Sequence, residues 1–587
     1  MPLRLHTFAG EIPKLDPRLL PEPAAQTSFN CKMVRGTLEA LRKPLLVERF
    51  SSDQLQTVTR FNSKWLSWDV DVDTVDAPVK GQIPKLYYSG DGAPKVHDGE
   101  RAYELGVPAP EGPLLAELRD EPSNPDTKLI STRLYTYTYV SNWGEESAPA
   151  PVSNFIEWRD GQRVALSGFA EPPAGRRIER LRLYRSQTTP SGTRLYLVAE
   201  LDAVTREYLD EVPSTRLGDV LKTQDWTPPP AGLRGLTALP NGITAGFVGR
   251  TLWFSVPYVP YAYPESTSLT TDYDIVALGA FGTSVVVMTT GNPYLVSGTA
   301  PENMIMEKLE VNYPCIAKRG VVDMGYAVLY PSNDGLVMVS AAGATLYTSP
   351  LVSPDDWKNY NPSSLVASVY QQFYIASYTR HVPGLEYAER GMLIVDTSGE
   401  APYLLRSNLK ANGFYPQLSS GRLFFIDGGE LLEFDPMNQP YMVMVWRSKR
   451  FILPKPVNFG AFRMDAKQQY SAEEREALRQ ERERQLQANR ELFDSGGVIG
   501  ALCQSDLIGL DVAGSNLHRI RGNEIDEQFA MVTLFADGNQ VAQFKMINQT
   551  VKLPAGFKAR EWEVELSGNA QIFEVTMAAT GAKLGMV

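Results

Sequence analysis

Asp69, Asp71, Asp73 and Asp76 are the residues whose type and spacing come closest to metal chemistry in this chain. Alternate carboxylates on a strand point to one face, where they can bind Ca²⁺. A calcium loop opening at Asp69 also needs Gly at its sixth position and Glu at its twelfth. Those positions hold Thr74 and Lys80, so the loop reading fails. The tract is then an acidic surface face, or an acidic channel face that repels a passing polyanion rather than performing catalysis.

Other chemistry is equally thin. His6, His97, His381 and His518 lie far apart, and none stands with Cys, Glu or a second His at metal-ligand spacing. Cys31, Cys315 and Cys503 are too few and too scattered for a disulfide framework, which fits synthesis in a reducing cytosol. The chain has no Walker A motif, no G-x-G-x-x-G, no G-x-S-x-G elbow and no H-E-x-x-H. Nothing singles out a glycosidase carboxylate pair. The basic clusters RRIERLRLYR and WRSKR (Trp446–Arg450) carry charges on alternate strand positions, as ordinary exposed faces do. The chain is therefore expected not to be an enzyme, with no catalytic residue, cofactor or metal.

The elements around these residues read as mainly β. From Leu236 to Phe434, blocks of short apolar strands recur every 40–48 residues or so, the blade period of a β-propeller. Turn signals PNG, TGN, SNDG, SSG and DGG divide the blocks, since Asn, Asp and Gly tolerate the positive φ of tight hairpins. A large β-sandwich with similar hairpins is the competing reading.

Residues 1–126 are Pro-rich, with hairpins at VTRFNSKWLSWDVDVD and KLYYSGDGAPKVHD, and are expected to supply the first propeller strands. N-terminal strands that complete the C-terminal blade would leave no open edge. Residues 127–215 hold about seven short strands, as in a fibronectin type III or Ig-like sandwich insertion. Its strand LYTYTYVS sets Tyr135, Tyr137 and Tyr139 on one face and Thr136 and Thr138 on the other. QDWTPPPAGLRG reads as a stiff linker, followed by propeller blades over 216–440. Residues 441–587 form a C-terminal β platform domain in which REWEVELSG turns a wet face of glutamates away from Trp562, Val564 and Leu566.

One segment, 471–493, is clearly helical and interrupts the platform. Ser471 and Glu474 make a capping box, and Gly496–Gly497 supplies a stop. Glu476/Arg479 and Glu481/Arg484 pair at helical spacing. Its narrow apolar stripe, Leu478, Leu486 and Phe493, is a candidate subunit interface, and a solvated strut is the alternative.

Charge bounds the partners. With 57 basic and 68 acidic residues the formal net charge is −11, which gives no general reason to grip nucleic acid. Such a wall can still surround DNA without holding it. The N-terminus lacks the apolar core of a signal peptide, and no apolar run is long enough to span a bilayer.

The opening stretch FAGEIPKLDPRLLPEPAAQTSFNCKMVRGTLEALRKP resembles the start of virion tail proteins of short-tailed bacteriophages. The matching positions are Ala25, Asn30, Gly36, Leu38 and Pro44, with the spacing from Ala25 to Asn30 one residue looser. PYLVSGTAPENM, PCIAKRGVVDMGYAVLYPSNDGLVMVS, DDWKNYNPSSL, WRSKRF with PKPVNFG, and LPAGFKAREWEVELSG follow in the order of the same group. The resemblance is to the tail nozzle, or tail tubular protein B, family. It implies a structural virion protein, made in the host cytoplasm and built into the tail. It implies a six-membered homo-oligomeric ring below the head-to-tail adaptor, through which DNA passes during ejection without specific binding. The fibronectin-like module would be a variable insertion and an outward docking surface for tail fibres. A glycan-binding or glycan-cleaving receptor-recognition tail protein is the alternative, motivated by a propeller joined to a sandwich and by many Trp and Tyr. An oligomeric scaffold unrelated to phage is a third.

Overall fold

The computed structural model describes residues 2–79, 81, 84–124, 130–189, 192–380, 389–399, 402–467, 472–495, 529–545 and 548–584. The chain is mainly β, in many small antiparallel sheets. It divides into two compact units.

The first unit comprises Met1–Leu55, Pro331–Val337 and Leu346–Val587. Its N-terminal segment is a strap of five short strands: β1 (Leu3–Leu5), β2 (Ala25–Phe29), β3 (Cys31–Val34), β4 (Thr37–Ala40) and β5 (Leu45–Arg49). β5 pairs antiparallel with Glu430–Glu433 and becomes the fourth strand of the sheet built from Gly413–Gln417 and Arg422–Asp427. An edge otherwise open to another chain is thereby covered from the far end of the sequence.

β2 has a different task. It lies between Leu404–Ser407, to which it is parallel, and Met444–Ser448, to which it is antiparallel. It thus welds the meander Val366–Ser407 to the C-terminal strands in one ten-stranded sheet. A second sheet holds β3, β4, Gln571–Ala578, Ala461–Lys467 and Thr550–Lys552, with β1 alongside Gln571–Ala578. The two sheets share one core, where Trp446, Trp562, Val564 and Leu566 meet Phe462, Met464, Ile572 and Met577.

The face of Ala559–Gly568 read as wet is half closed. Glu563 is buried, because the side chains of Gln26, Arg447 and Arg450 converge on it. The helix runs over Ala472–Asp494, between Ala461–Lys467 and Ala530–Ala536. Ser471 and Gly496–Gly497 lie outside the described residues. Arg479 reaches Glu476 at 3.0 Å and Arg484 reaches Glu481 at 3.6 Å, the pairs read from the i,i+3 spacing.

The second unit comprises Gln56–Tyr330 and Met338–Thr345. It opens with the hairpin Thr57–Phe61/Lys64–Trp68, whose turn places Asn62 and Ser63 at φ +48° and +65°. Two successive positive φ values match the turn to the strand twist. Asp73–Asp76, Leu86–Gly90, Gly92–His97 and Ala102–Glu104 form a four-stranded meander. Further meanders start at Arg234, Ile275 and Val322. With those starting at Val366 and Gly413 in the first unit, six are present among the described residues, and the five from Arg234 onward keep the spacing read from the sequence. Val285 to Met288 are fully buried, as a continuously apolar strand covered on both faces must be.

Between the first two meanders stands a sandwich. One sheet is Leu115–Arg119, Arg163–Ser167 and Glu207–Asp210; the other is Tyr135–Ser141, Ile178–Thr189 and Gly192–Asp202. Their shared core takes Ala116, Val164 and Leu166 from one side and Tyr135, Tyr137, Leu181 and Leu183 from the other. Leu115–Arg119 lies upstream of 127, since its partner strand Arg163–Ser167 draws it into the module.

Two local readings change. Thr136 and Thr138 are as buried as the tyrosines, because the GEESAPAP loop folds back along their strand. Ser147 and Ala150 donate their amides to the carbonyls of Tyr139 and Tyr137. The proline segment read as a linker is tied down too. Thr227 accepts the amide of Tyr263 at 2.8 Å and returns its hydroxyl to the Tyr263 carbonyl, while Pro228 packs on Gly106.

Candidate functional site

The acidic tract does not present four equivalent carboxylates. Asp69 and Val70 lie before the strand, and Asp73–Asp76 is the outer strand of its meander. The ammonium of Lys318 sits 2.8 Å from both Asp71 and Asp73. Arg319 lies 3.7 Å from Asp71, and Asp73 also accepts the amide of Gly235 at 3.0 Å. Burial raises the Asp73 pKa against the pull of Lys318. Burial likewise opposes the charge on Lys318, but Asp73 and Asp71 outweigh it and leave its pKa raised. Two of the four carboxylates are thus neutralised by cations some 245 positions away in the chain. Asp76 is exposed at the end of the tract. No local pattern marks Lys318 and Arg319, although both fall in the quoted stretch PCIAKRG.

The helix stripe is only partly placed. Leu486 and Phe493 are half-buried, and the side chain of Leu478 lies outside what is described.

The basic clusters are spent on internal ion pairs. Arg177 meets Asp98, Arg180 meets Glu200, Arg182 meets Glu146 and Glu200, and Arg185 meets Asp210. In WRSKR, Arg447 and Arg450 both hold Glu563, at 2.9 and 3.0 Å. Guanidiniums so engaged have little left for phosphates.

Cys31 and Cys315 are buried, and burial pushes both thiols up to about 12, away from nucleophilic reactivity. Cys503, His381 and His518 lie outside the described residues. Burial holds His97 below the usual imidazole value, and its Nδ1 accepts the amide of Gly99. Among the described residues no group of three His, Cys, Asp or Glu is placed to hold a metal. No helix among them is long and apolar enough to cross a membrane.

The motif positions at the N-terminus gather where the strap turns. Asn30 links β2 to β3 at φ +54°. Its Oδ1 accepts the Ser407 hydroxyl at 2.8 Å and its Nδ2 donates to the Val443 carbonyl at 3.2 Å. Ala25 opens β2, Gly36 makes the β3–β4 turn at φ +82°, Leu38 is fully buried, and Pro44 leads into β5. These residues position strands rather than react. Sequence reasoning missed Glu11 beside them, which is buried and held by Arg406.

No family model and no curated protein matches this chain. Among solved structures, the chain is similar to BBS1N in complex with ARL6DN, at 9% identity and TM-score 0.25, covering 68% of this chain and 99% of that one. It is similar to the N-terminal domain of Nup159 at 8% identity and TM-score 0.20, covering 45% and 68%. It is also similar to PorZ of the type-IX secretion system of Porphyromonas gingivalis at 9% identity and TM-score 0.22, covering 70% and 45%. At TM-scores this low, the likenesses bear on neither the fold nor the function of this chain.

Proposed function

We propose that this chain is a structural, ring-forming subunit of a phage tail nozzle that conducts DNA during ejection. The observation that carries the reading is the strap. The residues through which the N-terminus resembles the nozzle family, from Ala25 to Pro44, are those that join the meander Val366–Ser407 to the C-terminal strands through β2 and lead into the strand that closes another sheet. A subunit that passes load from one domain to another needs such a seam. The arginine clusters spent on internal carboxylates, together with a net charge of −11, suit a wall that DNA passes without sticking.

In this reading the six meanders are propeller blades, with β5 completing the last. The inserted sandwich is a fibronectin type III-like module that docks tail fibres, and the strands after 441 form the platform. Heterologous contacts repeated around an axis close the ring, a hexamer docked to the head-to-tail adaptor. The virion tail is its location and its role is not enzymatic.

Native mass spectrometry and electron microscopy of the purified protein with its adaptor test this reading. Rings of a single defined subunit number are expected. A stable monomer in the presence of adaptor sinks it. Saturable sugar binding or turnover without rings would favour the receptor-recognition alternative.

A further inference from the structure

Tyr258 occupies a backbone position made for glycine. The chain turns from Val256 to Val259, with the Val259 amide donating to the Val256 carbonyl at 2.9 Å. Pro257 stands second and Tyr258 third, at φ +62°. This is the layout of a type II turn, whose third position favours Gly or Asn. A bulky side chain there is sterically costly, and such outliers concentrate at ligand sites. The ring is also pinned. The Tyr258 amide donates to the Gly242 carbonyl at 2.8 Å, and a Cβ on Gly242 would fall 2.5 Å from the ring. The ring therefore rests on Gly242, while the residue as a whole stays 59% exposed.

The ring borders a cleft of about 90 Å³ walled by Val75, Pro78, Leu239, Pro240 and Ile243. Asp76 lines the same cleft. Asp71 and Asp73 of its tract are paired with Lys318, whereas no described cation or donor is set against the Asp76 carboxylate. An open carboxylate, an aromatic ring and walls of mixed polar and apolar character meet in one half-enclosed place.

We propose that this cleft takes an arginine side chain presented by a protein partner. The planar guanidinium stacks on the open face of Tyr258 and turns its donor fork to Asp76, and its methylene stem lies along the apolar wall. Charge complementarity favours a cationic guest, because the carboxylate is the one ionised group in the lining. A neutral sugar ring offers the Asp76 carboxylate no opposite charge. The assignment is independent of ring assembly.

Saturation-transfer NMR on the full chain tests it, with N-acetyl-argininamide as probe and N-acetyl-norleucinamide and methyl glucoside as controls. The arginine probe is expected to bind, and Asp76→Asn to weaken it about tenfold, as loss of a charged hydrogen-bond partner does. Tyr258→Gly is expected to weaken binding similarly while leaving the melting temperature unchanged or raised, since Gly suits the positive φ. If the ring is core packing instead, Tyr258→Gly lowers the melting temperature, and the exposed Asp76→Asn then carries the test alone. No probe binding to the unaltered protein, equal binding of the norleucine analogue, or full binding by Asp76→Asn overturns the proposal. A glucoside signal in place of the arginine one overturns it in favour of a saccharide site.

Discussion

Arg406 sets its Nε 3.1 Å from both carboxylate oxygens of Glu11, across 395 positions of sequence. Glu11 also accepts the Ser28 amide at 2.6 Å and exchanges backbone hydrogen bonds with Leu404. One buried carboxylate therefore fixes the approach of the strap to the strand Leu404–Ser407. Removing one partner of a buried pair leaves the other charge uncompensated. Glu11→Ala is expected to cost about 3–5 kcal/mol of unfolding free energy. Glu11→Gln keeps an acceptor for the Ser28 amide and should cost less. Chemical denaturation with a tryptophan fluorescence readout measures both.

Glu563 is the second such hub. Burial alone would raise its pKa, but Gln26, Arg447 and Arg450 outweigh that and hold it below the ordinary glutamate value. A depressed folded-state pKa means stability that is present above the unfolded value and lost as pH falls through the folded one. The first unit should therefore lose stability below the ordinary glutamate range, and Glu563→Gln should flatten that part of the profile. At neutral pH the same substitution should cost about 2–4 kcal/mol, with two arginines left short of a carboxylate. Melting temperature followed from pH 3 to 7 in both proteins checks the slope and the offset together.

Asn30 separates backbone from side-chain effects. Its positive φ suits Asn and Gly, and its amide bonds Ser407 and Val443. Asn30→Gly keeps the backbone freedom and loses the bonds, at about 1–2 kcal/mol. Asn30→Ala loses both and should be worse by about a further 1 kcal/mol. Equal effects of the two substitutions would show that the turn conformation contributes little.

The helix Ala472–Asp494 offers a test of assembly. Leu486 and Phe493 are half-buried in a segment otherwise dominated by charge. If these side chains pack between subunits of the proposed ring, changing Leu478, Leu486 and Phe493 together to Ser weakens ring formation while the melting temperature of the subunit moves by no more than a few degrees. Mass photometry across a dilution series reads the first quantity and calorimetry the second. Rings of undiminished stability would assign the helix to a solvated strut.

Local features of this protein were legible in its residues. The hairpins at Asn62–Ser63, the meander spacing, the helix with its Glu476–Arg479 pair and the tyrosine face of Tyr135–Ser141 all follow from turn chemistry and periodicity, which act over a few positions. The use to which a surface residue is put was not legible. The glutamate at 563 belongs to an alternating strand that reads as wet, and only Gln26, Arg447 and Arg450, arriving from elsewhere in the chain, make it a buried hub. Asp71 and Asp73 read as members of an acidic face until the fold brings Lys318 to them. The proline segment at Pro228–Pro230 reads as a spacer until Tyr263 and Gly106 hold it. Periodicity states which side of a strand is apolar, but not which distant strand will cover it. Sequence alone determined the elements and their turns, because those depend on near neighbours. Tertiary structure decided which charges are paired, which edge is closed and which carboxylate remains open, because each of those depends on pairings between residues hundreds of positions apart.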